Sequence, residues 1–330
     1  MTLRIGLIGC GAAGQAHAAA YREIEGVELR AVADIDAAVA ARLAAATSCE
    51  AMPLEELLDA DLDIIDIATP TSNHADLVQE AARRGKDVFC ETPLARTMDQ
   101  AQAAVNACRE AGVRLIPLHL NAFMPPLRRA AAILAGGSLG RAGVVRITRR
   151  RPGIPASAGD WRRSLKESGG VILDLLAQDI AFLIGCCGRV QRVYAASTAY
   201  REILAGEYAL VSLRMENGII AHLDGNWLPR DHGGDELEIA ASNGLIAYSE
   251  ENTAPLRFTT ADGVAGRHGL ISPVEEDMYV AGLKEAVDCL SGKPTPLADI
   301  EIALHTMEVA LAALKSAITG QVFTLAQSRR

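Results

Sequence analysis

The chain has no long apolar run and no basic surface. No window approaches the roughly 18 uninterrupted apolar residues that a membrane span requires. The opening Met1-Thr2-Leu3-Arg4-Ile5-Gly6 lacks the basic stretch and long apolar core of an export signal, so a cytoplasmic protein that avoids membranes is expected. Acidic residues outnumber basic ones, 41 to 32, and the longest basic run is Arg149-Arg150-Arg151. A net charge of −9 offers nothing to a phosphate backbone, which argues against nucleic acid as a partner. Lysine is scarce, with only Lys86, Lys166, Lys284, Lys293 and Lys315 among the basic residues. Together with abundant alanine, that bias looks like a property of the coding sequence. The seven cysteines are odd in number and show neither CxxC nor Cys/His spacing, so reduced, packing thiols are expected and no metal is proposed. The adjacent Cys186 and Cys187 belong with them. No repeat of 20–50 residues and no low-complexity linker is present.

What is present is 330 residues, half of them hydrophobic, which is more than one core usually holds and suits two domains. Leu3–Ile8 is a short apolar run ending in glycines, Ala12–Ile24 has helical spacing, and Glu28–Ala33 is a second strand, giving β-α-β. Helices at Ala37–Ala46, His74–Arg84 and Met98–Ala111 alternate with strands at Ile64–Ala68, Asp87–Cys90 and Arg114–Pro117, the pattern of a doubly wound parallel sheet in an α/β domain over residues 1–121. From residue 122 to 330 longer alternating strands take over, with Asn217-Gly218 and Asn243-Gly244 as hairpin turns and one helix near Leu173–Leu183. This predicts an α+β domain on a large, open, mostly antiparallel sheet. Its bare face would expose several hundred Å² of apolar surface, so self-association as a homodimer or homotetramer is expected there. An amphipathic helix over about 300–319 is expected to pack back on the first domain.

Gly9-Cys10-Gly11-Ala12-Ala13-Gly14 follows the first strand and opens the first helix, where glycines allow a tight turn and close approach of backbone to a pyrophosphate. Asp34 ends the second strand, where a carboxylate would accept from the adenosine ribose hydroxyls. With Ile35 and Asp36 following instead of arginine, a 2′-phosphate would be repelled, so NAD is expected over NADP. Thr69-Pro70 leaves a later strand at the same edge and is expected to line the dinucleotide; an ordinary turn with proline fixing φ accounts for these two residues equally well.

Gly9-x-Gly11-x-x-Gly14-x-x-His17, Thr69-Pro70-x-x-x-His74 and Gly85-Lys86-x-Val88-x-Cys90-Glu91-Thr92-Pro93-Leu94-Ala95 resemble the Gfo/Idh/MocA family. Further matches are Phe123-x-Pro125, Gly137-x-Leu139-Gly140, Trp161-Arg162, Gly169-Gly170-Val171-Ile172-Leu173-Asp174 and Ser316-Ala317-x-Thr319-Gly320, in order along the whole chain. The resemblance implies a Rossmann domain, a second domain whose open sheet mediates oligomers, and hydride transfer between a nicotinamide and a sugar, cyclitol or related carbonyl compound. It also implies that His17, His74, Glu91 and Thr92 lie near the cofactor, and that Asn121, Trp161, Arg162, Asp174 and Gln178 lie near the substrate.

Two departures follow from the same resemblance. Where the family carries lysine in Glu-Lys-Pro, this chain has Thr92, and where it carries histidine four residues after an aspartate, this chain has Gln178 after Asp174. A third is Asn121-Ala122-Phe123, where relatives often place arginine before the aromatic residue. Alcohol oxidation must release a proton, and a general base contributes typically about 10²–10⁴ in rate. Neither threonine nor glutamine titrates at neutral pH. Asp174, at i with Gln178 at i+4 on one predicted helix, and His119, after the strand Leu115–Leu118, are the remaining candidates to move it. Lys166 is a weaker one. Two functions are therefore open: an NAD-dependent oxidoreductase with a rerouted proton, or a catalytically silent NAD- and ligand-binding sensor.

Overall fold

The computed structural model describes residues 2–152, 161–200, 206–228, 234–252, 256–260, 277–293 and 299–326. They fall into two compact units, residues 1–123 with 276–304 and residues 124–275 with 305–330.

The first unit alternates β1 (Leu3–Ile8), α1 (Ala12–Tyr21), β2 (Val27–Ala33), α2 (Ala37–Thr47), β3 (Glu50–Ala51), α3 (Leu54–Asp59), β4 (Ile64–Ile67), α4 (Thr71–Arg83), β5 (Asp87–Glu91), α5 (Met98–Ala111) and β6 (Leu115–Leu118). The sheet is parallel throughout, in the order β3-β2-β1-β4-β5-β6, so the strand order reverses between β1 and β4. Strands covered on both faces read as continuous apolar runs, and β4 is wholly buried. Asp36 caps α2 by accepting from the amides of Ala38 and Val39. β3 and α3 are too short to show a period and were not expected. α4 starts directly after Pro70, three residues earlier than its apolar spacing suggests, which puts His74 in its opening turn.

A short 3₁₀ turn, Leu120–Phe123, ends this stretch. The second unit continues with α6 (Pro125–Ala135), β7 (Ala142–Pro152), a 3₁₀ turn at Trp161–Arg163, a π-helical turn at Val171–Leu175 and α7 (Ala177–Cys187). There follow β8 (Val190–Tyr200), β9 (Gly206–Met215), β10 (Ile220–Leu228), β11 (Gly234–Ala241), β12 (Gly244–Ser249) and β13 (Leu256–Thr260). The last elements are α8 (Met278–Leu290), α9 (Ile300–Thr319) and β14 (Phe323–Thr324). The second sheet runs β13-β12-β11-β7-β10-β9-β8-β14 and is antiparallel except where β7 meets β10. Both Asn-Gly pairs make the expected hairpins, β9–β10 and β11–β12. Val145, Ile147, Val193, Val211, Leu213, Leu223, Leu237 and Ile239 alternate onto one buried face. Tyr194, Leu210, Ile220 and Leu245 alternate onto the other and are exposed.

α8 lies elsewhere than the break at residue 121/122 suggests. Val280, Leu283, Ala286 and Val287 of α8 enter the core of the first unit with Ile5, Tyr21, Phe89, Ile116 and Leu118. Gly282 makes that possible, because a Cβ there would lie 2.4 Å from Leu120. α9 has only its first residues in the first unit, and its hydrogen bonds go to β8: Val190 N–H donates to His305 Nε2 (3.0 Å) and Ala195 N–H to Ser316 Oγ (2.9 Å). An amphipathic pattern fixes that a helix has an apolar face and leaves open which sheet receives it. α9 is the one described helix long and apolar enough to cross a membrane by length and composition. Its buried Ala303, Met307, Val309, Ala310 and Ala313 make it a core helix.

Candidate active site

In the first unit the glycine turn has the form that a dinucleotide needs. Gly9 is left-handed (φ +98°), and a Cβ there would lie 2.5 Å from the Ala68 carbonyl oxygen, so the turn presses against the end of β4. A Cβ at Gly14 would lie 1.9 Å from the Gly9 carbonyl oxygen, which requires glycine where α1 crosses β1. Gly11 has nothing within 4 Å of its Cβ position and starts α1 without a side-chain cap. That leaves the first amides of the helix, at Ala12 and Ala13, to an anion.

Asp34 accepts from Cys10 N–H (2.7 Å) through Oδ2 and from Asp36 N–H (2.9 Å) through Oδ1. Its carboxylate is thereby fixed beside the turn with lone pairs to spare for ribose hydroxyls. Ile35 is fully exposed at the end of β2, an apolar side chain with no packing role in the protein alone and suited to a purine face. These residues fit NAD: Gly11, Ala12 and Ala13 would hold the pyrophosphate, and Asp34 with Ile35 the adenosine.

Below the switch point lies a buried cluster that the sequence reading passed over. Asp66 faces Leu7 of β1 and Phe89 of β5 in the sheet, and is completely buried. Its Oδ2 accepts from Tyr21 OH (2.7 Å) and faces His17 Nδ1 (2.8 Å). His17, also completely buried, turns Nε2 to Glu91 Oε1 (3.2 Å), and Glu91 Oε2 accepts from Thr92 N–H (3.1 Å). Burial pushes the His17 pKa down, but Asp66 and Glu91 outweigh it and raise it to about 10. The signal was visible as an aspartate inside the otherwise apolar Ile64-Ile65-Asp66-Ile67.

Thr92 Oγ1 donates a long hydrogen bond to Leu118 O (3.5 Å), which places it beside the residue before His119. His119 is 5% exposed, and neither ring nitrogen has a partner among the described residues. Burial lowers its pKa to about 4, so the ring is uncharged at neutral pH, and a titration near neutrality, the basis for expecting a proton shuttle there, is absent. His74 is fully engaged, with Nδ1 on Pro93 O (2.7 Å) and Nε2 on Thr69 O (2.8 Å). Both nitrogens are spent on backbone, so it ties the turns after β4 and β5 together instead of reaching a cofactor. Thr69 and Pro70 are half-buried beside it, and Asn121 is half-buried in the turn after β6.

In the second unit, Asp174 and Gln178 do not share one regular helix. Leu176 N–H bonds to Val171 O (3.0 Å), a π turn, and α7 begins only at Ala177. The 3.6-residue spacing that placed both on one face therefore does not carry across residues 174–178; each is half-buried. The turn is held from below by Glu207, which accepts from Val171 N–H (2.9 Å) and Ser197 OH (3.1 Å). Gly170 is left-handed, and a Cβ there would strike the Glu207 carboxylate (2.4 Å). Asp179, next to Gln178, is buried against Arg149. Trp161 is half-buried, while Arg162 and Lys166 are exposed.

Comparison with known proteins agrees with these two units. The family described as "Oxidoreductase family, NAD-binding Rossmann fold" matches residues 3–119, and the "GFO/IDH/MocA C-terminal domain" matches residues 127–247. The chain belongs to the Gfo/Idh/MocA family. Among Gfo/Idh/MocA relatives it is similar to inositol 2-dehydrogenase of Rhizobium meliloti (strain 1021), 31% identical over 275 residues and 80% of each chain. It is 33% identical over 238 residues to D-apiose dehydrogenase of Paraburkholderia graminis, spanning 68% of this chain and 60% of that one. The solved structure of levoglucosan dehydrogenase in complex with NADH shares the Gfo/Idh/MocA fold at a TM-score of 0.88, with 19% identity over 99% of this chain and 100% of that one. The protein is thus an oxidoreductase of an NAD-binding family.

Proposed function

We propose that the protein is an NAD-dependent dehydrogenase or reductase acting on a CH–OH group of a sugar or cyclitol. The observation that carries this is the glycine turn with Asp34 fixed beside it; similarity to inositol, apiose and levoglucosan dehydrogenases supports the substrate class. NAD bound there supplies the hydride acceptor, and NADH the donor. The chain's own residues must position the alcohol and manage its proton.

Thr92 stands in place of the family lysine and has a hydroxyl that orients without titrating. His119 beside it is a neutral ring with one donor and one acceptor nitrogen, both without partners among the described residues, suited to orienting a substrate hydroxyl. In the second unit Asp174 is the proposed carboxylate for substrate hydroxyls, with Gln178, Trp161 and Arg162 as further contacts, and Asn121 is the contact proposed from the first. Glu207 would hold the turn that presents Asp174.

Self-association through the exposed face of the second sheet is part of the proposal. Tyr194, Leu210, Ile220 and Leu245 supply its apolar part. A cytoplasmic location accords with seven unpaired cysteines.

The test is titration of the whole protein with NAD, NADH and NADP, followed by assays in both directions against sugars and cyclitols. Binding with turnover supports the proposal. Binding without turnover on any member of the panel would favour a silent ligand sensor, the reading that the residues at 92 and 178 keep open.

A further inference from the structure

The two halves of a doubly wound sheet each take one nucleotide of a dinucleotide. Asp34, directly after β2, marks the β1–β3 half for adenosine, which leaves the β4–β6 half for the nicotinamide nucleotide. The carboxyl groups of the buried cluster belong to that half, Asp66 on β4 and Glu91 at the carboxyl end of β5, and His17 of α1 reaches across to both.

Its charge state follows from hydrogen-bond geometry. Each ring nitrogen of His17 faces a carboxylate oxygen, which can only accept, so both nitrogens donate and the ring is an imidazolium. The same two carboxyl groups accept further hydrogen bonds, Asp66 from Tyr21 OH and Glu91 from Thr92 N–H. Two negative groups against one positive leave the cluster with a net single negative charge. Asp66 Oδ1 is buried with no partner among the described residues, so part of that charge goes unneutralised by hydrogen bonding. At residue 92, where a lysine would cancel it, the side chain is neutral.

We propose that this cluster selects the oxidation state of the cofactor: its net negative charge favours NAD⁺, whose nicotinamide ring is cationic, over NADH, whose ring is neutral. The resting site thereby holds the oxidised cofactor, and the same preference opposes reduction of the bound ring relative to the free one. The inference rests on the NAD-dependent reading above. It adds a selectivity that the binding of a dinucleotide does not by itself require.

Two variants change the charge by different routes. Glu91→Gln leaves Asp66 and His17 as a balanced pair, and Thr92→Lys adds a cation beside an intact cluster. Dissociation constants for NAD⁺ and for NADH are measured separately by calorimetry on the whole protein, with melting curves to establish folding. In both variants NAD⁺ affinity is expected to fall roughly tenfold, as one unit charge acting through a partly shielded interior would give, while NADH affinity moves by less than about threefold. A ratio of the two constants unchanged within about twofold, in whichever variant melts like the wild type, overturns the proposal. Failure of the wild type to bind either form would instead remove the NAD reading, and this inference with it.

Discussion

Arg149 offers the sharpest test of what holds the second unit together. Its guanidinium is 2% exposed and meets Asp179 through Nε (2.9 and 3.1 Å) and Nη2 (2.6 Å), while Nη1 meets Asp235 (2.7 Å). Asp235 has a second cation in Arg151, whereas among the described residues the fully buried Asp179 meets Arg149 alone. Arg149→Met keeps the apolar stem and strands that carboxylate. Breaking a buried pair from one side costs about 3–5 kcal/mol. For a unit of this size each kcal/mol moves the melting temperature by roughly 2–4 °C, so a fall of about 6–20 °C is expected. The double variant Arg149→Met with Asp179→Leu removes both charges and should recover most of the loss, because desolvating the pair was itself expensive. Thermal and urea unfolding of the four proteins gives the cycle. A single variant that loses less than about 1 kcal/mol, or two losses that simply add, would refute the claim that Asp179 depends on Arg149.

Further outcomes follow from the geometry. Gly14→Ala should abolish NAD binding and lower stability, since its Cβ would lie 1.9 Å from a carbonyl oxygen; Gly11→Ala should melt like the wild type yet bind NAD at least about tenfold more weakly. The His17 pKa, raised to about 10, contributes stability that is complete below about pH 6.5 and is lost as pH rises through 10, on the order of 5 kcal/mol at most; unfolding measured across that range should lose this slope in His17→Asn. His119 acts in the opposite sense. Its pKa of about 4 gives stability present above about pH 6.5 and lost as the pH falls toward 4, which His119→Gln should remove. If the bare sheet face is an oligomer contact, Ile220→Asp should yield smaller species in sedimentation while leaving the NAD affinity intact.

The first unit was legible because each of its rules is local. Parallel strands buried on both faces are apolar runs, and Gly9, Gly11, Gly14 and Asp34 lie on one short β-α-β stretch. The hairpins at Asn217-Gly218 and Asn243-Gly244 were legible for the same reason. What escaped depends on partners far along the chain. Asp66 meets His17 and Tyr21 from 49 and 45 residues away, and Glu207 reaches Val171 across 36. No window of sequence contains both members of any such pair. The π turn at Val171–Leu175 escaped differently: its residues have ordinary helical propensity, and the distortion is imposed by Gly170 and the Glu207 carboxylate beneath it.

The place of α8 bears on how the molecule is made. Phe89, Ile116, Leu118 and Leu120 are sealed by Val280, Leu283, Ala286 and Val287, residues synthesised only after the strands of the second sheet up to β13. Until then the nascent cofactor domain emerges with one flank of its sheet uncovered and apolar. A fragment ending at Phe123 would keep that flank permanently open and should precipitate or recruit chaperones. Supplying α8 as a separate peptide would be the rational way to rescue it.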